Sequence, residues 1–365
     1  MLTLRQGLLR TASMTRNYAV AAYTGTKNAS GNYTVPIIEG DGIGPEISAA
    51  VKKIFAAANV PIEWIPVDVT PRLEDGVTKL PDDTVDIINN YKIALKGPLA
   101  TPVGKGHQSM NLTLRRTFNL FANVRPCKSI EGYKTLYDNV NTVLIRENTE
   151  GEYSGIEHTV VPGVVQSIKL ITAPASERVC QYAFEYAKAH GKKKVLVVHK
   201  ATVQKFADGL FLQSAEKVGK NYPEVELHNE LIDNTCLKMV QDPALYEEYV
   251  MVMPNLYGDI MSDLCSGLIG GLGLTPSGNM GIETSIFEAV HGSAPDIAGK
   301  GLANPTALLF SSVMMLRHMG LFDKADVIEK AALETLASGK ENVTRDLKGQ
   351  ASTEHFTEQV ISRLQ

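Results

Sequence analysis

Two aspartates four positions apart, Asp259 and Asp263 in PNLYGDIMSDL, have the spacing that puts both carboxylates on one face of a helix. Two oxygen donors on one helix suit part of a hard-cation site, with Mg2+ or Mn2+ as the fitting ions. The same pair also reads as a solvated helix face. Leu256, Ile260, Met261 and Leu264 surround the acids, so at least one is expected near the core with a positive partner. Arg115 in SMNLTLR, Arg125 in NVRP and Arg146 in IRENTEGEYSG follow one another closely, each beside apolar, strand-like residues. Three guanidinium forks converging on one point would hold an anion with two or three carboxylates; three unrelated surface arginines are the plain alternative. Ser109 and Asn111 could add neutral hydrogen bonds to such an anion. Tyr153, in a glycine-bearing loop, and Lys200, at the end of the apolar run VLVVHK, are candidate proton carriers if their pKa values are tuned. Either one alone could equally be structural.

A fourth segment, HGSAPDIAGKGLANPTA (291–307), is rich in small residues that let backbone approach a ligand closely. Asp296 there could accept hydrogen bonds from the two hydroxyls of an adenine ribose. It would also repel a 2′-phosphate, which favours NAD over NADP. A plain glycine-rich loop is the other reading.

The elements that must position these groups follow from apolar periodicity. Residues 33–38 read as a strand, then comes the turn GDGIGPEI (40–47). A helix runs from about Pro45 with Ile47, Val51, Ile54 and Phe55 on one face. Helices are expected over 176–190, ended by Gly191, and over 203–219, with a strand at Lys194–His199 between them. Asn304-Pro305 looks like the start of a helix reaching about Met319. This alternation predicts an α/β protein with parallel strands. Residues 156–172 break the pattern: two β-rich stretches flank Pro162-Gly163. They read as a protruding hairpin suited to a dimer contact, or as an edge hairpin of the main sheet.

The chain has 365 residues, a formal net charge of −4 and 21% charged residues, which is ordinary globular composition. The acidic balance disfavours general nucleic-acid binding, and no apolar run is long enough to suggest a membrane span. Four scattered cysteines without a CxxC pair argue against a disulfide scaffold or a zinc knuckle. Residues 1–38 lack acids but carry Arg5, Arg10, Arg16 and Lys27 with several hydroxyl residues and leucines. That is the composition of a mitochondrial transit peptide, here 1–18, and predicts a matrix protein; a disordered basic tail is the alternative. GDGIG fails the dinucleotide fingerprint because Pro45 stands where GxGxxG needs glycine, so a Rossmann site is a weak reading. P-loop, GxSxG and HExxH motifs are absent as well.

Together GDGIGPEI, SMNLTLR, RENTEGEYSG, Lys200, the Asp259/Asp263 pair and HGSAPDIAG resemble the β-decarboxylating dehydrogenase family, in the family's order, from about Tyr33 to the C-terminus. The SxN…R arrangement is similar to that of members acting on isocitrate. The resemblance implies an isocitrate/isopropylmalate dehydrogenase-like fold, not a Rossmann fold. A large domain would come from 33–122 and 270–365, and a small central one from 123–269 with a clasp hairpin at 153–172. It implies that Ser109, Asn111, Arg115, Arg125 and Arg146 hold isocitrate, and that Asp259 and Asp263 bind the metal with Asp233 from a neighbouring subunit. It also implies that Thr101, His291, Gly292, Ser293, Ala294, Pro295, Asp296, Ile297 and Asn304 contact NAD. The implied reaction oxidises C2 by hydride transfer and then releases CO2, with Lys200 taking the hydroxyl proton and Tyr153 protonating the enol carbon. Lys200 and Asp233 would serve the neighbouring subunit's site. A related regulatory subunit is the expected partner. The competing readings are a non-catalytic regulatory subunit, a homoisocitrate or isopropylmalate dehydrogenase, and, weakest, an RNA-binding role.

Overall fold

The structure is a computed structural model describing residues 23–74, 77–100 and 109–364; the transit segment 1–18 and Thr101 lie outside the described residues. Fourteen strands are described. Those in the first third are β1 (Tyr33–Ile38), β2 (Ile62–Pro66), β3 (Arg72–Glu74), β4 (Val77–Lys79) and β5 (Ile93–Lys96). The middle of the chain adds β6 (Ala122–Lys128), β7 (Asn141–Glu147), β8 (Gly151–Val161), β9 (Val164–Leu170), β10 (Lys194–His199), β11 (Glu226–Leu231) and β12 (Tyr249–Met253). The last two are β13 (Pro276–Met280) and β14 (Ser285–Ala289).

Ten strands form one sheet in the order β11-β10-β12-β7-β6-β13-β14-β5-β1-β2. Two parallel blocks, β2-β1-β5-β14 and β7-β12-β10-β11, meet through antiparallel β6 and β13. Strands from both chain ends therefore make one end of the sheet and strands from the middle make the other. The expected division at 122/123 and 269/270 falls at the first residue of β6 and just after a helix. The α/β reading holds, and the mixed strand order departs from a Rossmann sheet as expected.

Helices cover both faces: α1 (Gly44–Ala57), α2 (Asp82–Tyr91), α3 (Met110–Thr117), α4 (Ala173–Ala189), α5 (Ala207–Gly219), α6 (Ile232–Gln241), α7 (Asn255–Leu268), α8 (Thr306–His318), α9 (Phe322–Ala337) and α10 (Thr353–Ile361). Pro45 sits in the first turn of α1, where a missing N–H costs nothing, and Ile47, Val51, Ile54 and Phe55 are buried. Three expectations shift. The helix expected over 176–190 spans Ala173–Ala189. The helix expected from 203 begins at Ala207, because 201–206 form a turn directly after β10. Arg115, expected beside strand-like residues, lies on helix α3.

The segment 156–172 is a hairpin of its own. β8 and β9 pair only with each other and turn at Gly163, whose φ of +86° suits glycine. Ile156, Val160, Val161, Val164, Val165, Ile168 and Leu170 are all exposed. The protruding reading of this hairpin therefore stands, and the edge-strand alternative does not.

Candidate active site

The alternation of side chains along β6 and β7 builds the floor of the site. Asn123 pairs across the strands with Arg146, and Arg125 shares their face. Helix α7 packs on this face, and its i,i+4 spacing aims Asp259 and Asp263 at the two arginines. The Arg146 guanidinium, 1% exposed, bonds Asp259 through one Nη, and its Nε donates to Asn255 Oδ1 at 2.9 Å. Arg125 Nη1 lies 3.0 Å from Asp263 Oδ1 and also bonds Ser262 Oγ. The acid pair is thus no merely solvated face. The Tyr153 hydroxyl donates to the second oxygen of Asp259, and its ring lies under the Arg146 guanidinium at 5.1 Å.

Three arginines, Arg115, Arg125 and Arg146, meet two aspartates here, a charge balance that leaves room for a further anion. Burial, together with repulsion from Arg115 and Arg125, pushes Arg146 down to about 10, although Asp259 pulls the other way. Burial raises the Asp259 carboxyl, but the Arg146 charge and the Tyr153 hydroxyl outweigh it and leave Asp259 below the usual range. Tyr153 is pushed up by burial and by its bond to Asp259, so it keeps its proton at neutral pH.

Sequence reasoning missed the groups beneath. Lys96 and Glu288, both buried at the ends of β5 and β14, pair at 2.7 Å, and Arg115 stands 4.0 Å from Glu288. Asn279 donates to Glu288 at 2.8 Å and accepts from Asn123, whose Oδ1 accepts from Arg125 Nε. Burial opposes the Glu288 charge, but Lys96 and Arg115 overcome it and bring that carboxyl down to about 2. The chain Lys96–Glu288–Asn279–Asn123–Arg125 crosses the β5, β14, β13 and β6 strands. It fixes the arginines that would meet substrate. A lysine, a glutamate and two asparagines inside otherwise apolar strands were the available signal.

Ser109 occupies the position just before α3, and its carbonyl accepts from Thr113 N at 3.0 Å. Asn111 Oδ1 is buried without a hydrogen-bond partner, as befits a group awaiting a ligand. Lys200 and Asp233 stand apart from this cluster. They pair with each other at 2.6 Å, with Asp233 66% exposed, so within one chain neither joins Asp259 and Asp263. Among the described residues no group of three or more His, Cys, Asp or Glu is placed to hold a metal. The two carboxylates of α7 suit a hard cation as a partial donor set that other ligands must complete.

The loop 291–297 is held by GDGIGPEI. Ile43 N donates to the Ser293 carbonyl at 2.9 Å, and a Cβ on Gly42 (φ +60°) would lie 1.9 Å from that oxygen. Gly40 and Gly44 are equally pressed against the carbonyls of Pro98 and Glu39. The motif that failed as a dinucleotide fingerprint is therefore a close-packing device for the second loop. Ala294 adopts φ +39°, a strained conformation for a residue with a Cβ. His291 Nδ1 contacts the Gly292 carbonyl, while Nε2 is buried and unpartnered. Burial lowers the His291 pKa and keeps the ring neutral. Gly292, Pro295 and Asp296 are exposed, and Ile297 N closes the turn on the Ala294 carbonyl. An orphan acceptor and an exposed carboxylate on a tight loop suit a nucleotide. Asn304 is already engaged: Oδ1 accepts from Thr306 N and Nδ2 donates to Asp346.

A cavity of ≈ 1080 Å³ lies on the opposite face of the sheet, lined by Val124, Pro126, Tyr186, Phe310 and Met314; none of the predicted site residues lines it.

A family model described as isocitrate/isopropylmalate dehydrogenase matches residues 34–360. The chain belongs to the isocitrate/isopropylmalate dehydrogenase family. It is 66% identical over 346 residues, 95% of this chain and 91% of the relative, to mitochondrial NAD isocitrate dehydrogenase subunit 2 of Schizosaccharomyces pombe. The same identity holds over 348 residues, 95% and 94% of the two chains, for the mitochondrial subunit 2 of Saccharomyces cerevisiae. Among solved structures, isocitrate dehydrogenase from Methylococcus capsulatus is 45% identical with a TM-score of 0.84, covering 91% of this chain and 99% of that one.

Proposed function

We propose that this dehydrogenase catalyses the NAD-dependent oxidative decarboxylation of isocitrate to 2-oxoglutarate and CO2 in the mitochondrial matrix, as the catalytic subunit of a hetero-oligomer with a related regulatory subunit. The observation that carries the reading is the Arg146–Asp259–Tyr153 contact set, with Arg125–Asp263 and Arg115 beside it. It combines three guanidinium groups, one more than the aspartates they meet, with a protonated hydroxyl at the same place.

The chain's own residues would act as follows. Arg115, Arg125 and Arg146 bind the substrate carboxylates, and the bound anion relieves their mutual repulsion. Ser109 and Asn111 orient the remaining carboxylate by neutral hydrogen bonds. Asp259 and Asp263, with Asp233 of a neighbouring subunit, would hold Mg2+ or Mn2+, which would supply Lewis-acid chemistry there. The loop 291–297 would hold NAD, which would supply the hydride acceptor, and Asp296 would disfavour a 2′-phosphate there. Tyr153 holds a proton at Oη for delivery to carbon after CO2 leaves. Lys200 takes the C2 hydroxyl proton in the partner's site. Its exposed pairing with Asp233 suits groups presented outward, and the apolar face of the β8–β9 hairpin suits the contact that presents them.

The test is turnover of isocitrate with NAD by the chain assembled with its partner subunit, and its loss in Tyr153→Phe. Turnover unchanged in that variant would count against the catalytic assignment. NADP serving as well as NAD would remove the role given to Asp296.

A further inference from the structure

Asp208, fully buried in the first turn of α5, is a carboxylate that ties the hairpin to the lysine segment. Its Oδ2 accepts from the backbone N–H of Lys200 at 2.7 Å, and its Oδ1 accepts from Lys169 Nζ at 2.6 Å. Lys169 lies on β9. It is the single residue of that seven-residue strand that is not exposed, whereas the strand's valines, isoleucine and leucine all face outward. This inverts the usual strand pattern: β9 is anchored to the body by a buried charge and its apolar residues stay exposed, while β8 is held at its base by Arg116, whose Nη2 donates to the Tyr153 and Ser154 carbonyls at 3.0 Å. Lys169 also stands 3.4 Å from Glu152, next to Tyr153. It lies 4.3 Å from the centre of the Tyr257 ring, two residues before Asp259. The Lys200 carbonyl accepts from the N–H groups of Val203 and Gln204 at 2.9 Å, within a turn whose residues 202–206 are exposed, while Asp208 is the buried side chain that holds the Lys200 N–H.

We propose that Asp208 and Lys169 form a positioning pair that couples the seating of the β8–β9 hairpin to the placement of Lys200. The proposal rests on the reading of Lys200 as a proton carrier and of the hairpin as a partner contact. A strand that shifts as it meets a partner moves Lys169, and the shared carboxylate passes that movement to the Lys200 backbone. The pair touches no substrate and acts through Lys200.

Four variants in the assembled enzyme test it: Asp208→Asn, Lys169→Met, Lys169→Arg and the double Asp208→Asn/Lys169→Met. Each single neutralisation strands a buried charge and threatens folding, while the double variant removes both charges together. The double variant is expected to lose kcat by about 10-fold or more, because small misplacements of a reacting group cost up to ~100-fold. Its KM for isocitrate should stay within about twofold, since the three substrate arginines are untouched. Amide hydrogen exchange at 200–206 should accelerate, and Lys169→Arg should retain most of kcat and of the protection. A folded double variant with unchanged kcat and unchanged exchange at 200–206 overturns the proposal. So does one that fails to fold, or that loses kcat and isocitrate affinity in proportion to thermal stability, since the pair would then be a fold element only. Inactivity of the unmodified enzyme on isocitrate would refute the proposed reaction, and the exchange measurement would still decide the linkage.

Discussion

Replacing Tyr153 by Phe removes one hydroxyl and almost nothing else. The ring stays beneath the Arg146 guanidinium, so the contact at 5.1 Å survives. What is lost is the hydrogen bond to Asp259. A hydrogen bond to a charged group contributes roughly 1.5–3 kcal/mol, but Asp259 is 37% exposed and water replaces part of the bond, leaving about 1 kcal/mol. At about 2.1 cal/mol/K per residue, a chain of 365 residues unfolds with an entropy of about 0.8 kcal/mol/K, so the melting temperature should fall by only ~1–2 °C. Turnover should fall far more, by ~100- to 10,000-fold, the usual worth of a positioned general acid. The assay pairs steady-state NADH formation with calorimetry on the same assembled enzyme. Retention of more than a third of kcat would refute the proton-donor role. A loss of stability several times larger than this would refute the claim that the hydroxyl is chemically rather than structurally employed.

Further outcomes follow from the same geometry. Gly42→Ala should displace the 291–297 loop, because the new Cβ has 1.9 Å to the Ser293 oxygen and φ is +60°; NAD titration should show affinity reduced by about 10-fold with isocitrate affinity unchanged. Arg125→Lys keeps the charge but not the fork, so the KM for isocitrate should rise by about 10-fold or more, as initial-rate kinetics will read. Glu288 has a folded pKa of about 2 against an ordinary 4.5, so its contribution to stability is complete above pH ~4.5 and lost as pH falls toward ~2. Glu288→Gln should therefore flatten the acid limb of a melting-temperature profile over that window. Val165→Asp, at an exposed hairpin position, should lower the oligomeric state seen by sedimentation while leaving the fold's circular dichroism intact.

Much of the site was legible because it rests on short-range spacing. The i,i+4 aspartates, the helix with Pro45 in its first turn and the strand ending just before Lys200 all depend on local periodicity. Less legible were relations between distant segments. Nothing local reveals that GDGIGPEI braces 291–297, or that Asp208 sits between Lys169 and Lys200. Arg115 was expected beside strand-like residues, and SMNLTLR does alternate polar and apolar residues, but tertiary packing makes it a helix. Lys96, Asn123, Asn279 and Glu288 were readable in principle as polar residues inside buried strands. Their partners come from four strands, which no window of sequence contains. The hairpin at 156–172 was open between edge and protrusion until its pairing was known, since both alternate in the same way.

The most direct test of the account is NADH formation from isocitrate and Mg2+ or Mn2+, with NADP in parallel, by this chain alone and co-expressed with a related subunit. Reduction of NAD but not NADP, appearing or rising sharply when the partner is present, is the predicted result. No NADH from any mixture of folded protein would contradict it and return the chain to a regulatory role or to a different 2-hydroxy acid.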